Sequence, residues 1–235
     1  MLSVVCWKWV PRANYRSKFN AEHVNTLAAM VERHFHAPYE VVCVTDNWKG
    51  IDSSVRIVPL WDTWSRIPNP HGGLNPSCYR RLKAFDSAMA HTLGQRFVSV
   101  DLDVVITGDV TPLWTRKEDF VIWGDQVKGT PYNGSMWLMT AGARHRVYAE
   151  FDPESSPQET FRAKLLGSDQ AWISHILGPG EAKWTKDDGV LAYRTDIKRT
   201  HGVLPKNTRM VFFQGNIDPW HPVAQKLPWV REHYR

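Results

Sequence analysis

The strongest strand signal in the chain, RFVSVDLDVVIT at residues 96–107, is interrupted by two aspartates. Side chains alternate along a strand, so Asp101 and Asp103 are expected to project to the same side. Two carboxylates held close together raise each other's pKa unless a cation lies between them. A hard divalent cation that keeps positions open for substrate phosphates would meet that need. The spacing alone does not separate such a metal–diphosphate site from a solvent-facing strand end with two satisfied carboxylates.

Strands and helices alternate around this run. Strands are expected at 2–5, 39–45, 55–60, 96–107, 120–123 and 135–140, and helices at 20–35, 77–91, 143–151 and 168–177. The helix at 20–35 begins with Asn20 as its cap. The order strand, helix, strand, strand, helix, strand in the first 107 residues predicts an α/β fold with a mostly parallel sheet flanked by helices. In such sheets ligands bind beyond the carboxyl ends of the strands.

Composition places the chain among ordinary globular proteins. Of its 235 residues 43% are hydrophobic and 23% charged, which excludes a disordered or fibrous chain. No apolar run approaches the ~18 residues that span a bilayer, and the N-terminus lacks the pattern of a signal peptide. We therefore expect a soluble cytoplasmic protein without membrane insertion. Cys6, Cys43 and Cys78 are expected to be reduced thiols, and no CxxC or Cys/His cluster suggests zinc.

The net charge of +5 is concentrated near the C-terminus. Residues 183–235 contain 10 basic and 5 acidic side chains, whereas residues 1–182 contain 19 of each. This distribution favours an anionic ligand, although a solvated surface has the same composition. The basic side chains concerned include Lys183, Lys186, Arg194, Lys198, Arg199, Lys206 and Arg209.

Four segments in register resemble one enzyme family. They are FVSVDLDVVITGDVTPLW around the two aspartates, YNGSMWLM at 132–139, GSDQAWIS at 167–174 and VFFQGNIDPW at 211–220. Together they resemble the GT-A nucleotide-sugar glycosyltransferases, and most closely family 8, the glycogenin-like and bacterial galactosyltransferase-like enzymes with a DxD motif. The resemblance runs from about residue 2 to 222. It implies a single Rossmann-like GT-A domain over 1–235, with a nucleotide-binding half at 1–107 and an acceptor-side half at 108–235.

The resemblance also implies a donor and metal site. Asp101 would contact the ribose or the metal, and Asp103 would ligate Mn²⁺ or Mg²⁺. Further donor-binding positions carried over are Val5, Cys6, Trp7, Thr45, Asp46, Tyr79, Arg80, Lys83, Gly134 and Gly215. Of the adjacent Arg80 and Arg81, only one is expected to face the cleft.

Three further positions match the reacting end of the family's site. Asn133 lies in the segment that approaches the donor sugar and the acceptor, and the glycine after it would let the backbone come close to a ligand. Asp169 and Gln170 match the pair beside the reacting carbon of the sugar. The other interpretation of Asp169 is an acidic residue in the first turn of a helix, where the helix dipole favours it.

The C-terminal segment departs from the family's His-x-Gly-x-x-Lys-Pro-Trp pattern. Gln214 replaces the metal-binding histidine, and Asp218 replaces the lysine that contacts the diphosphate. A glutamine carbonyl can ligate a hard cation, but more weakly than imidazole binds Mn²⁺. His201, His221 and Lys226 are candidates to supply the missing positive charge.

The function that the resemblance implies is metal-dependent transfer of a sugar from a nucleotide sugar, with a UDP-sugar expected, to an acceptor hydroxyl with retained configuration. The acceptor is open among saccharides, proteins and hydroxymethylated bases of DNA, because small transferases of this type occur in viral DNA modification. A flipped base would be supported by an aromatic residue such as Trp137 or Trp184.

The sequence offers two other function classes as alternatives. A nucleotidyltransferase usually has a glycine-rich loop after the first strand. At that position this chain reads CWKWVPRANYR, which has no glycine, and this counts against a nucleotidyltransferase. A non-catalytic sugar-binding or nucleic-acid-binding module is supported by the 12 tryptophans and the basic last quarter of the chain.

Overall fold

The computed structural model describes residues 1–10, 18–72, 77–127 and 129–235. The strands are β1 Leu2–Lys8, β2 Tyr39–Thr45, β3 Val55–Pro59, β4 Arg96–Val100, β5 Val104–Ile106, β6 Phe120–Val127, β7 Thr130–Thr140, β8 Ala182–Trp184, β9 Val190–Ala192 and β10 Met210–Phe212. The α-helices are α1 Ala21–His34, α2 Ala90–Leu93, α3 Thr111–Trp114, α4 Arg146–Ala149, α5 Ser156–Arg162, α6 Asp169–Leu177 and α7 Pro228–His233. Shorter turns of helix include the 3-10 segments Tyr79–Phe85, Ser87–Met89, Lys198–Thr200 and Ala224–Lys226, and the π-helical turn Tyr193–Ile197.

The strands form two sheets. The larger has seven strands in the order β3-β2-β1-β4-β7-β6-β8, and the smaller has three in the order β5-β10-β9. β1 to β4 run parallel to one another, whereas β7 is antiparallel to β4 and to β6. This confirms the expected α/β architecture with a mostly parallel sheet flanked by helices.

Apolar side chains cover both faces of the large sheet. One face packs against α1 through Val24, Leu27 and Met30, which are all fully buried. Asn20 caps this helix as predicted, because its side chain accepts from the backbone N–H of His23 at 3.3 Å. The other face packs against the 3-10 segment Tyr79–Phe85 and α6.

The predicted strand over 96–107 is wrong, because the chain changes sheets at the two aspartates. β4 ends at Val100 in the large sheet, and β5 begins at Val104 in the small one. The backbone N–H of Asp101 donates to the carbonyl of Ser135 at 2.9 Å, while the carbonyl of Asp103 accepts from Phe213 at 2.7 Å. The two carboxylates therefore lie in the break between two strands and not along one face of a single strand.

Two predicted helices are also shorter than expected. The helix at 77–91 is replaced by two 3-10 segments and α2, because Asp86 adopts extended backbone and its carboxylate accepts from the N–H of Ala88 at 3.1 Å. Of the helix at 143–151 only Arg146–Ala149 forms. By contrast, the expected strand at 39–45 and helix at 168–177 are confirmed within one residue. In the described parts of the chain, no helix has the length and apolar character needed to cross a bilayer.

Candidate active site

The carboxyl ends of the parallel strands β1, β2 and β4 meet at one edge of the large sheet. β1 ends at Lys8, β2 at Thr45 and β4 at Val100, immediately before Asp101. Because β7 is antiparallel to β4, its first half, including Asn133, returns to the same edge. This edge is where parallel sheets bind ligands.

A buried arginine joins two of the expected site residues there. Arg81 donates through Nε to Oδ2 of Asp169 at 2.8 Å, and its Nη2 lies 2.6 Å from the same oxygen. Its Nη1 donates to Oδ1 of Asp101. The side chains of Arg81 and Asp169 are only 6% and 5% exposed, while that of Asp101 is 26% exposed. One guanidinium therefore fixes two carboxylates from distant parts of the sequence, and one of them faces solvent.

Burial and charge shift the pKa values in this triad in different directions. Burial raises the pKa of Asp169, with Arg81 opposing the rise and Asp101 adding to it. Burial acts to lower the pKa of Arg81, but the charges of Asp101 and Asp169 raise it well above its ordinary value. Arg81 thus stays a cation, and the ion pair fixes the position of the Asp169 carboxylate.

Gly134 lets the backbone of β7 come close to the side chains of this triad. A Cβ at Gly134 would lie 3.0 Å from Nη2 of Arg81 and 3.2 Å from Oδ2 of Asp169. The N–H of Gly134 donates to Oε1 of Gln170 at 3.3 Å, and Nε2 of Gln170 donates to the carbonyl of Leu166 at 2.9 Å. The amide of Gln170 is therefore held at both ends, and β7 packs so closely against α6 that a side chain at position 134 would displace its neighbours.

Oxygen ligands suited to a divalent cation lie at the strand break. The bond from Phe213 to the carbonyl of Asp103 brings the segment with Gln214 alongside that aspartate. Asp103 and Gln214 are both half-buried. Within the described ranges, no three His, Cys, Asp or Glu side chains group as a metal site on their own. Carboxylate and amide oxygens are ligands that a hard divalent cation takes, so these two residues fit such a cation.

Four of the predicted donor-binding residues have buried side chains. β1 continues to Lys8, so Val5 and Cys6 are fully buried inside the strand and Trp7 is 4% exposed, with its indole N–H donating to Ser99. Tyr79 is fully buried and packs against Phe151. The side chains of these four residues form part of the core, so any contact that they make with a donor would have to come from their backbone.

The remaining predicted donor residues lie near the edge with partners of their own. The buried ammonium of Lys8 donates to the hydroxyl of Thr45 at 3.2 Å, and Asp46 accepts from the N–H of Val10. Arg80 lies over the ring of Trp9, and Lys83 lies over that of Trp61. Of the two adjacent arginines, Arg81 is the one that contacts Asp101 and Asp169. The sequence expected one of the two to face the cleft and assigned donor binding to Arg80, so it did not select Arg81.

Asn133, the two tryptophans and the cysteines complete the residues named from the sequence. Asn133 is 4% exposed, and its Oδ1 accepts from the N–H of Ser135 at 2.9 Å. Trp137 and Trp184, predicted to support a flipped base, are fully buried, so that expectation is wrong. All three cysteines are free thiols.

Comparison with known proteins gives a likeness of fold without a likeness of sequence. No protein-family model matches the chain, and no curated protein matches it. A crystal structure of the galactosyltransferase LgtC with donor and acceptor sugar analogues is similar, with a TM-score of 0.64 at 16% identity. That alignment covers 97% of this chain and 93% of LgtC. The chain has a GT-A-like glycosyltransferase fold.

Larger glycosyltransferases contain the same fold as part of their chains. GlyE of Streptococcus pneumoniae TIGR4 is 12% identical with a TM-score of 0.54, covering 99% of this chain and 63% of GlyE. The bifunctional glycosyltransferase WbbM is 14% identical with a TM-score of 0.55, covering 98% of this chain and 50% of WbbM. This chain therefore spans about half to two thirds of those two proteins.

Proposed function

We propose that this protein transfers a sugar from a nucleoside diphosphate sugar to an acceptor hydroxyl. The observation that carries the proposal is the buried Arg81 held between Asp101 and Asp169 at the carboxyl edge of a GT-A-like sheet. In the transfer, the bond between the sugar and the diphosphate breaks and a new bond forms to the acceptor oxygen. The hydroxyl proton leaves with the nucleoside diphosphate.

The diphosphate of the donor would lie at the strand break between β4 and β5. Asp103 and Gln214 would hold Mn²⁺ or Mg²⁺, which offsets the negative charge that develops on the leaving diphosphate. Asp101, partly exposed and fixed by Arg81, would accept a hydrogen bond from the ribose or the donor sugar. The nucleoside would lie over the ends of β1 and β2, beside Lys8 and Thr45, with a UDP-sugar as the expected donor.

The sugar would lie between β7 and α6. Asp169 is buried and fixed by Arg81, so its carboxylate is already oriented to accept hydrogen bonds from sugar hydroxyls. Gln170 and the backbone of Gly134 line the same place and are held by their mutual hydrogen bond. Asn133, on the strand that carries Gly134, would contribute to the acceptor side of this site.

The acceptor is proposed to be DNA, on the hydroxyl of a hydroxymethylated base. The support is the basic last quarter of the chain, in which Lys186, Lys198, Arg199 and Lys206 are exposed. Trp9 with Arg80 and Trp61 with Lys83 add aromatic rings paired with cations near the sheet edge, a combination that suits bases and phosphates. A saccharide or protein acceptor is the alternative for the same enzyme, and a non-catalytic binding module is the alternative to an enzyme.

The test begins with thermal unfolding in a panel of nucleotide sugars, with and without Mn²⁺, since a specific ligand raises the unfolding temperature by mass action. The donor that stabilises the protein is then assayed for hydrolysis and transfer. We expect Asp169→Asn to lower turnover by about 10²–10³-fold, the loss typical of one preorganised polar group. The control is Asp187→Asn, at an exposed aspartate of the turn after β8.

The outcomes separate the alternatives. Donor hydrolysis that needs Mn²⁺ and Asp169, and is unaffected in the control, supports a metal-dependent transferase. Full activity in EDTA would remove the metal from the proposal. Donor binding without any hydrolysis or transfer would leave the binding module as the correct function.

A further inference from the structure

This inference rests on the proposed function. A donor site for a nucleotide sugar needs positive charge beside the diphosphate, and no residue described so far supplies it. A nucleoside diphosphate carries several negative charges, and the segment expected to cover it has Asp218 where the family has a lysine. Asp218 is 7% exposed and adds negative charge instead. Of the basic residues expected to compensate, His221 accepts through Nδ1 from the N–H of Val223, which turns that nitrogen to its own loop.

An arginine from a different element reaches the same segment. Gly215 has a φ of 101°, a conformation that favours glycine, and lies two residues after Phe213, whose N–H donates to the carbonyl of Asp103. A Cβ placed on Gly215 would lie 3.6 Å from Cδ and 3.8 Å from Nη1 of Arg194. The guanidinium of Arg194 is therefore next to the turn that follows β10, at the end of the strand nearest Asp103.

Strand pairing explains why Arg194 is there. β9 and β10 are parallel, with Ala192 opposite Phe212, so the chain leaves both strands on the same side. The next residue, Tyr193, stacks on Phe213 with ring centroids 4.5 Å apart and an interplanar angle of 11°. This stack fixes the start of the π-helical turn, and the residue after it, Arg194, points toward the turn at Gly215.

The charge of Arg194 is not used within the described parts of the chain. It is exposed, and no ion pair among the described residues includes it. The acidic residue of its own turn, Asp196, pairs with Lys186 at 2.6 Å and accepts from the N–H of Ala192. A guanidinium presents a planar set of donors that matches phosphate oxygens in pairs.

We propose that Arg194 binds the diphosphate of the nucleotide donor and supplies the positive charge that Asp218 lacks. Arg81 is not available for this role, because its guanidinium is bonded to Asp101 and Asp169. The bound diphosphate would then lie between the strand break with Asp103 and the turn at Gly215, with Arg194 across its outer oxygens.

The experiment measures nucleotide affinity, so it does not depend on the acceptor. UDP, CDP, GDP, ADP and dTDP are titrated calorimetrically into the full chain with Mn²⁺, and the tightest binder is kept as the probe. Arg194→Gln is expected to weaken its binding by about ten- to hundredfold, the range for a hydrogen bond to a charged group. Arg194→Lys keeps the charge without the fork and should lose less.

The matched control is Lys117→Gln, which removes one exposed positive charge at the other edge of the sheet. Lys117 precedes β6, whose first residue, Phe120, pairs with Met139 next to the beginning of β4. We expect this variant to bind the probe as the wild type does. Thermal unfolding without ligand should be the same for all variants, because Arg194 is exposed.

Each other result overturns the inference. Unchanged affinity in Arg194→Gln would show that the side chain does not reach the diphosphate. Equal losses in Arg194→Gln and Lys117→Gln would show a general charge effect, and equal losses in the glutamine and lysine variants would show that the charge is not the reason. If the wild type binds none of the five diphosphates, the proposed function fails, and the inference fails with it.

Discussion

Arg81 compensates the negative charges of two carboxylates in the candidate site. Two carboxylates at the end of a sheet repel each other, and the buried one, Asp169, also pays a cost for leaving water. Arg81 meets both with one guanidinium, bonded to Asp169 through two nitrogens and to Asp101 through a third. Removing one partner from a buried pair of this kind costs about 3–5 kcal/mol. The pair therefore positions Asp169 before any ligand arrives.

Gln214 allows the proposed metal contact to be tested by strengthening it. Imidazole binds Mn²⁺ better than a neutral amide oxygen does, so Gln214→His should tighten Mn²⁺ binding in the presence of a nucleoside diphosphate. We expect about a tenfold change, which corresponds to about 1.4 kcal/mol. Calorimetry measures it, with Gln158→His as the control at an exposed glutamine of α5. An unchanged or weaker affinity would mean that this segment does not reach the metal.

At this scale the sequence grouped three of the residues that the structure brings together, but it did not select the arginine that joins two of them. Asp101, Asp169 and Gln170 are brought to one place, and they came from motifs whose order along the chain could be compared with a family. Choosing between Arg80 and Arg81 required the turn itself. The segment is 3-10 helical with three residues per turn, so the side chains that share a face differ from those of the expected α-helix.

Among the elements, the strand break at Asp101–Asp103 is the one that the sequence concealed. Apolar residues on both sides of the aspartates give the pattern of one long strand. The structure divides them because the backbone partner changes from Ser135 in β7 to Phe213 after β10. Those partners lie 34 and 110 residues away from the aspartates that they bind. Periodicity, which is a local property, does not contain that information.

β7 offers a direct test of preorganisation at Gly134. In Gly134→Ala the new methyl group would lie 3.0 Å from Nη2 of Arg81 and 3.4 Å from Cβ of Gln170, so the triad must shift. We expect kcat/KM to fall by about ten- to hundredfold, because small displacements of positioning groups have effects of that size. The fold should lose about 1–3 kcal/mol of stability, as is usual for overpacking.

The control for this variant is Gly180→Ala, where a Cβ would meet no atom within 4 Å and φ is not positive. Its free energy of unfolding and its turnover of substrate should equal those of the wild type. Wild-type turnover in Gly134→Ala, once a donor is known, would show that the close approach of β7 to Arg81 and Asp169 is not required for the reaction.

On the scale of the whole molecule, the last quarter of the chain returns to the first half through the small sheet. β10 pairs with β5 on one side and β9 on the other, which brings residues after 210 to the aspartates near 101. The motif order suggested this return, but the strands that produce it have three residues each, too few for a recognisable alternation. In the proposed transferase, this return would also carry the basic side chains of residues 183–235 to the open edge of the donor site.

Because of these basic side chains, the salt dependence of the reaction distinguishes a DNA acceptor from a neutral saccharide. If the acceptor is DNA, exposed cations such as Lys198, Arg199 and Lys206 neutralise phosphates and release counterions on binding. The affinity for DNA should then fall with salt along a log–log slope of roughly −0.9 per phosphate contacted. A neutral saccharide, bound through hydrogen bonds and ring stacking, should show almost no such slope. The measurement is transfer to hydroxymethylated and unmodified DNA between low and physiological salt. Transfer confined to a neutral sugar and indifferent to salt would refute the DNA acceptor, while the proposal of a glycosyltransferase would stand.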